Sequence, residues 1–344
     1  MIKTSKYYNS ILSILFALVI SSIFLLFVSR NPFSVFWDIL FGAFGSGFGI
    51  TETLVIAIPI IFTGLSVSLA DRIGLLSIGA EGQLYLGAIG VTCFLEFVGY
   101  ANYSSFILIP SMAFMAIFFG AGWSLIPGFL KGRWNVNETL TTLLFNFIAI
   151  LLAQHLINTS FQDPSTFNWP QSSRFPSNAE LPTLGSGRLH IGILFAFFFS
   201  IMIYFFYEKT RWGYISKIIG DNSTLATFYK LPKLKYIVCF MILSGAMAGL
   251  AGFAQVSGVE GRLRFPISLE YGFTGFLVSW LALHHPLRIV PVGILMAGLL
   301  AGGDNVQLTQ DLPFAFVKII QGVIFITFLF FHRTDLFAKL KFNG

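Results

Sequence analysis

Long apolar runs, broken by short polar stretches, organise this chain. The runs fall at residues 11–28, 51–70, 75–99, 106–126, 139–157, 190–207, 236–256, 271–283, 289–303 and 314–331. A helix crossing a bilayer needs about 20 apolar residues. The pattern therefore predicts an all-α polytopic transmembrane bundle of about ten spans, with a single membrane domain over residues 1–344. The runs at 271–283 and 289–303 are short, which fits tilted, broken or partly re-entrant helices. Residues 31–50, with Pro32, Trp37, Asp38 and clustered glycines, predict an outer loop carrying a short interfacial helix. A tight turn at 71–74 returns the chain, and further loops are expected at 127–137, 158–189, 208–235, 258–270, 284–288 and 304–313.

Composition supports lipid as the solvent. Only 10% of residues are charged, against roughly 25% in soluble domains. Mean hydropathy is +0.80, and 41 phenylalanines suit a lipid-facing exterior. The net charge of +6 does not mark a nucleic-acid surface, because the Lys and Arg lie between apolar runs and form no single patch. Such clusters mark the cytoplasmic side instead. Lys3 and Lys6, Lys131 and Arg133, the segment 208–235, and the tail with Arg333, Lys339 and Lys341 all fall on one side if both termini are cytoplasmic. The balanced loops at 158–189 and 258–270 then lie outside, where Glu260 and Glu270 offset Arg262 and Arg264. Ten spans divide into five plus five, and an odd unit gives halves of inverted topology, a common transporter plan. The first run is too long for a signal peptide and no small-residue cleavage site follows it, so it reads as an uncleaved span. Cys93 and Cys239 sit in apolar runs, a pattern of packing residues with neither a disulfide framework nor a metal site.

Polar residues inside apolar runs carry the candidate chemistry, since an unsatisfied group in hydrocarbon costs several kcal/mol. Residues 75–90 hold Ser77, Glu81 and Gln83 among Gly79, Gly82, Gly87 and Gly90, with Gly74 just before. The glycines permit a bend or an unwound turn and allow close helix approach. Two readings stay open: a helix-packing seam, and the lining of a wet pathway. Asn137 fits a helix N-cap, and Asn146 fits an interhelical hydrogen-bonding residue. Gly245 with Gly249, and Gly298 with Gly302, have the spacing of packing seams. Within 208–235, Asp221 and Asn222 predict a turn and N-cap, residues 223–230 a short helix, and Leu231-Pro232 its end. Leu225, Phe228 and Tyr229 share one face of that helix, suited to a soluble partner or to lipid headgroups. No H-E-x-x-H, G-x-S-x-G or G-x-x-x-x-G-K-[ST] motif is present, and His155, His190, His284, His285 and His332 are scattered. The sequence thus shows no cofactor, metal or catalytic pattern, and any ATP chemistry would belong to another chain.

Ser77-Ile-Gly-Ala-Glu-Gly-Gln-Leu-Tyr-Leu-Gly-Ala88 resembles the N-I-G-x-E-G-Q-x-x-x-G-A signature of bacterial ABC importer permeases. The branch is the nucleoside (basic membrane protein-linked) one of the ribose and branched-chain amino acid permease superfamily. Further matches follow in order: Asn137-Glu138 with Leu144-Phe145-Asn146-Phe147-Ile148-Ala149, Gly220-Asp221-Asn222 with Ala226 and Tyr229, Gly249-Leu-Ala-Gly252, Gly258 with Gly261-Arg262, Tyr271-Gly272-Phe273-Thr274-Gly275, and His285-Pro286-Leu287. Ser77 stands where the family usually has Asn, Phe147 where it often has Tyr, and Thr227 where Ala is frequent. The resemblance implies a permease in the bacterial cytoplasmic (inner) membrane, working with a second related permease, a cytoplasmic ABC ATPase dimer and an extracytoplasmic substrate-binding lipoprotein. It implies nucleosides as substrate, with a sugar or other small solute as the alternative; a stand-alone secondary transporter is the more distant rival. Residues 208–235 would hold the coupling helix, through Asp221, Asn222, Leu225, Phe228 and Tyr229. Ser77, Gln83 and Asn146 are expected along the pathway, with Glu81 either touching substrate or holding its span against its neighbours.

Overall fold

Each of the ten apolar runs forms a helix in the computed structural model, which describes residues 2–98, 103–166, 169–185 and 187–333. The basic tail with Lys339 and Lys341 lies outside the described residues. The helices are α1 (Ile2–Phe27), α2 (Pro32–Phe44), α3 (Gly47–Asp71), α4 (Ala80–Val98), α5 (Ser105–Trp134), α6 (Glu138–Asn158), α7 (Gly192–Lys209), α8 (Arg211–Asp221), α9 (Ser223–Phe228), α10 (Lys233–Gln255), α11 (Tyr271–Leu281), α12 (Pro286–Gln310) and α13 (Ala315–Arg333). Among the described residues β structure is limited to two isolated bridges, Gln171 with Arg264 and Thr183 with His190. Six helices (α3, α5, α6, α7, α10 with its continuation to Glu260, and α12) are long and apolar enough to cross a membrane. The bent pair α1–α2, angled by 115°, would make a seventh. The chain divides into two compact units, residues 1–53 with 295–344, and residues 54–294.

In the first unit, Asn31 caps α2 by accepting a bond from Phe33 N, with Pro32 at the first helical position, where no N–H is needed. This is the short helix expected within 31–50. Leu25, Val35, Ile39, Val306, Leu312 and Ile320 form its core. α1 packs on α13, with Phe24 and Phe316 rings 5.2 Å apart. The polar stretch from 304, expected as a loop, continues α12 to Gln310. The reason is long-range: Asn305 donates to the Asp38 carbonyl at 2.9 Å, and Thr309 and Gln310 donate to the Asp38 carboxylate at 2.9 and 2.7 Å.

In the second unit, α4 and α10 are inner helices, and α5 packs against both. Small residues make this possible. A Cβ on Gly87 would strike the Gly249 backbone, one on Gly249 the Ala116 carbonyl, and one on Gly245 the Gly120 carbonyl. The expected Gly245/Gly249 seam is therefore a backbone-to-backbone contact, held further by Ser124 Oγ donating to the Met241 carbonyl. By contrast α5, α6 and α7 carry exposed Phe, Leu and Ile, such as Phe118, Leu151 and Phe198. Where a loop was expected from 127, α5 runs through Pro127 to Trp134. Lys131 and Arg133 in its last turn suit the negative helix end, and Asn135 closes it at φ 53°.

The described residues of the proline-rich connection 158–189 are packed against the chain. Its backbone pairs with residues 257–263: Ser172 N to Leu263 O at 2.8 Å, Phe175 N to Gly261 O at 2.7 Å, and Leu181 N to Ser257 O at 2.8 Å. Its own Phe161, Phe175, Ala179 and Leu181 are buried. At its end His190 is fully buried, and its Nδ1 accepts from Gly192 N at 3.2 Å. Burial pushes the His190 pKa down to about 4 from 6.5. A neutral native imidazole stabilises the fold fully above pH 6.5, and that contribution is lost as pH falls from 6.5 towards 4. Taking the solubilised protein from pH 7.5 to 5 should cost about 2 kcal/mol through this residue. Thermal melting should show a smaller loss for His190→Gln than for the wild type; equal losses would refute it.

Candidate functional site

After α3 ends, the turn at 72–74 closes on Gly74 at φ +72°, and residues 75–78 are not helical. Helix α4 starts at Ala80, five residues later than the apolar run that predicts it. An unwound backbone inside a bundle must find its hydrogen bonds elsewhere. Here α6 supplies them from one face. Leu76 N donates to Glu138 Oε1 at 3.4 Å, and Thr139 Oγ1 donates to Leu76 O at 3.0 Å. Ile78 N donates to Thr142 Oγ1 at 3.2 Å. Asn146 then serves two groups: its Nδ2 donates to Ile78 O at 2.7 Å, and its Oδ1 accepts from Gly82 N at 2.8 Å. Glu138, Thr142 and Asn146 stand at i, i+4 and i+8, so a stripe of side chains plays the part of a neighbouring strand. Asn137 caps α6 through Thr139 N and Leu140 N, as its position predicts, and Lys131 Nζ pairs with Glu138 Oε2 at 3.0 Å. A Cβ on Gly82 would come within 2.9 Å of Asn146, so the approach requires glycine.

Glu81 lies in the first turn of α4 and reaches α11. Its Oε2 accepts from Gly272 N at 2.6 Å, in the first turn of that helix. A Cβ on Gly272 would overlap the Glu81 backbone, so the two helix N-termini abut. Both carry partial positive charge, and one carboxylate sits between them. The neighbouring Tyr271 N donates to Ser268 Oγ at 2.8 Å, and Thr63 Oγ1 of α3 lies 3.0 Å from the Tyr271 carbonyl. Gln83 Oε1 is 3.4 Å from Ser66 Oγ, which is 2.9 Å from Ser244 Oγ, joining α4, α3 and α10. Ser77 Oγ accepts from Gly79 N at 3.4 Å. Ser77, Glu81, Gln83 and Asn146 are thus gathered around one helix start, each 2% exposed or less, so this conformation shuts them from solvent. The partners that residue-by-residue reading does not single out are Thr63, Ser66, Thr142 and Ser244. The signal for Thr142 is the polar stripe at four-residue spacing in an apolar helix.

The 208–235 segment forms α8 and α9. Asn222 Oδ1 caps α9 by accepting from Leu225 N at 2.9 Å, and Asp221 ends α8. Leu225, Phe228 and Tyr229 are 41, 78 and 64% exposed, while Ala226 faces inward. A cavity of about 160 Å³ lies between the ends of α3 and α7 and the α11–α12 turn, lined among others by Ser68, Asp71, Arg72, Glu208 and His284. Burial pushes the His284 pKa down to about 4. Its 3.5 Å approach to Asp71 Oδ1 is therefore a long polar contact at neutral pH, without an ion pair. Among the described residues no cluster of His, Cys, Asp and Glu fits a metal ion.

The family of branched-chain amino acid transport system permease components matches residues 49–329. The chain belongs to that family. Among its relatives, the glucose ABC transporter permease TsgB13 of Haloferax volcanii is 33% identical, over 97% of this chain and 89% of the relative. The nucleoside ABC transporter permease NupB of Lactococcus lactis is 27% identical, over 94% and 90%. The guanosine ABC transporter permease NupP of Bacillus subtilis is 30% identical, over 86% and 84%. No solved structure matches. Three of the stretches that resemble family motifs lie where helices touch: residues 77–83 on α6 and α11, Gly249 on α5, and Pro286, whose carbonyl accepts from Ser200 Oγ at 2.9 Å.

Asn146→Ala leaves a buried N–H and a buried carbonyl without partners, each worth about 1–3 kcal/mol. The permease variant should melt at a clearly lower temperature in detergent. Asn146→Gln, with the same groups one methylene further out, should recover less than half of the loss.

Proposed function

We propose that this permease is the membrane subunit of an ABC importer for nucleosides, carried by the chain-long similarity to nucleoside and guanosine permeases. A nucleoside has a flat uncharged base and a hydroxyl-rich sugar. The amides, hydroxyls and glycines gathered at the start of α4 suit such cargo better than a row of charges. In this reading Ser77, Gln83 and Asn146 line the path when it opens, and Glu81 holds α4 against α11. Residues 1–344 act as one permease domain that crosses the cytoplasmic membrane ten times, with both termini inside and five spans in each inverted half. Transport is by alternating access.

The permease does not hydrolyse ATP. A cytoplasmic ATPase dimer docks on the coupling segment 208–235, on Asp221, Asn222, Leu225, Phe228 and Tyr229. A second related permease completes the pathway, and an extracytoplasmic lipoprotein delivers substrate. The exposure of the Leu225, Phe228 and Tyr229 side chains supports the docking face. A sugar is the second reading, favoured by the 33% identity to a glucose permease; ribose and glucose present similar hydroxyl arrays.

Two measurements separate these readings. In a deletion strain, labelled guanosine or uridine uptake should fall at least tenfold while glucose uptake is unchanged; the reverse pattern assigns a sugar. Phe228→Asp or Tyr229→Asp should abolish co-purification of the ATPase without preventing membrane insertion. A purified permease that moves solute with no ATPase present would defeat both readings.

A further inference from the structure

The docking face and the polar cluster at the start of α4 lie on different elements, and one residue joins them. Arg72 follows the last residue of α3 and precedes the unwound segment by three positions. Its Nη2 donates to the Tyr207 carbonyl at 3.3 Å, near the end of α7, and to the Gly213 carbonyl at 3.2 Å, in the first turn of α8. The guanidinium carbon also stacks 4.5 Å from the Tyr207 ring centroid. One planar cation therefore spans the α7–α8 joint, using the fork and the flat face that lysine lacks.

At the other end of α8 the backbones meet. A Cβ on Gly220 would lie 2.7 Å from the Arg72 carbonyl oxygen and 2.9 Å from Gly74 N, and one on Gly74 would lie 3.1 Å from the Gly220 carbonyl oxygen. Helix α8 thus rests on the 72–74 turn at Gly220 and is held at its start by Arg72. Beyond Gly220 come Asp221, Asn222 and α9 with its exposed face; beyond Gly74 come residues 75–78 and the α4 start. The guanidinium Nε is buried without a protein partner, and Arg72 lines the 160 Å³ cavity. The clamp therefore has room to shift without a clash.

We infer that Arg72 is the positioning residue that transmits movement of the α8–α9 coupling segment to the unwound segment before α4. Pushing α9 turns α8 as a lever whose two contacts, Gly213 and Gly220, both bear on the 72–74 turn. The turn in turn displaces residues 75–79, which side chains of α6 hold at Leu76 and Ile78. This rests on the proposed coupling to an ATPase.

The test uses the full complex, with both permeases, ATPase and receptor, in proteoliposomes. Arg72→Ala should leave complex assembly and ATP turnover within about twofold, while uptake per ATP hydrolysed falls about tenfold, the scale of a coupling residue. Arg72→Lys, which keeps the charge but not the fork, should recover part of that ratio. An unchanged ratio in Arg72→Ala would overturn the inference. So would failure of both variants to assemble, because the contact would then only hold the fold. Wild-type uptake that persists with the ATPase omitted would defeat the importer reading instead, and is seen before any variant is made.

Discussion

Backbone that leaves its helix inside a membrane protein has no water to turn to, and the inner part of this permease is built around that constraint. Residues 75–79 stay unwound because Glu138, Thr139, Thr142 and Asn146 supply hydrogen bonds along one face of α6. Buried peptide groups at this junction, such as the Gly82 N–H, would cost several kcal/mol each if left bare. The stripe on α6 and the break before α4 are thus two parts of one solution, and neither has a purpose without the other. Glu81 solves the matching problem for α11, whose first turn needs an acceptor where a second positive helix end already points.

Close packing follows from the same economy of space. A short, polar-lined helix start is accommodated only where the surrounding helices touch backbone to backbone. The glycines of α4 and α10 serve that end: Gly82 meets Asn146, Gly87 meets Gly249, and Gly252 meets the Leu84 carbonyl. The outer helices need no such restraint and show large apolar side chains to their surroundings.

Much of this was legible in the residues. Ten apolar runs mark ten helices, because hydrophobic length is a local property. The caps at Asn137 and Asn222 are equally local, since each serves N–H groups two or three residues away. Asn146 stood out as an amide within an apolar span, although its two partners lie more than sixty residues away. What could not be read shares a cause. The late start of α4, the extension of α12 to Gln310 and the Arg72 clamp all depend on partners brought close only by folding. Thr142 and Ser66 looked like ordinary small polar residues for the same reason.

The single carboxylate shared by α4 and α11 also sets an energy scale for switching. Any rearrangement that parts these two helices gives up a buried hydrogen bond whose N–H, left unmatched, costs about 1–3 kcal/mol. It also leaves the first turn of α11 without its side-chain acceptor. The contact weights the population towards the joined arrangement by about tenfold for each 1.4 kcal/mol that a parted arrangement does not recover elsewhere. A binding event worth a few kcal/mol is of the size needed to offset that loss, so the strength of this one contact bounds how hard α4 and α11 are to part.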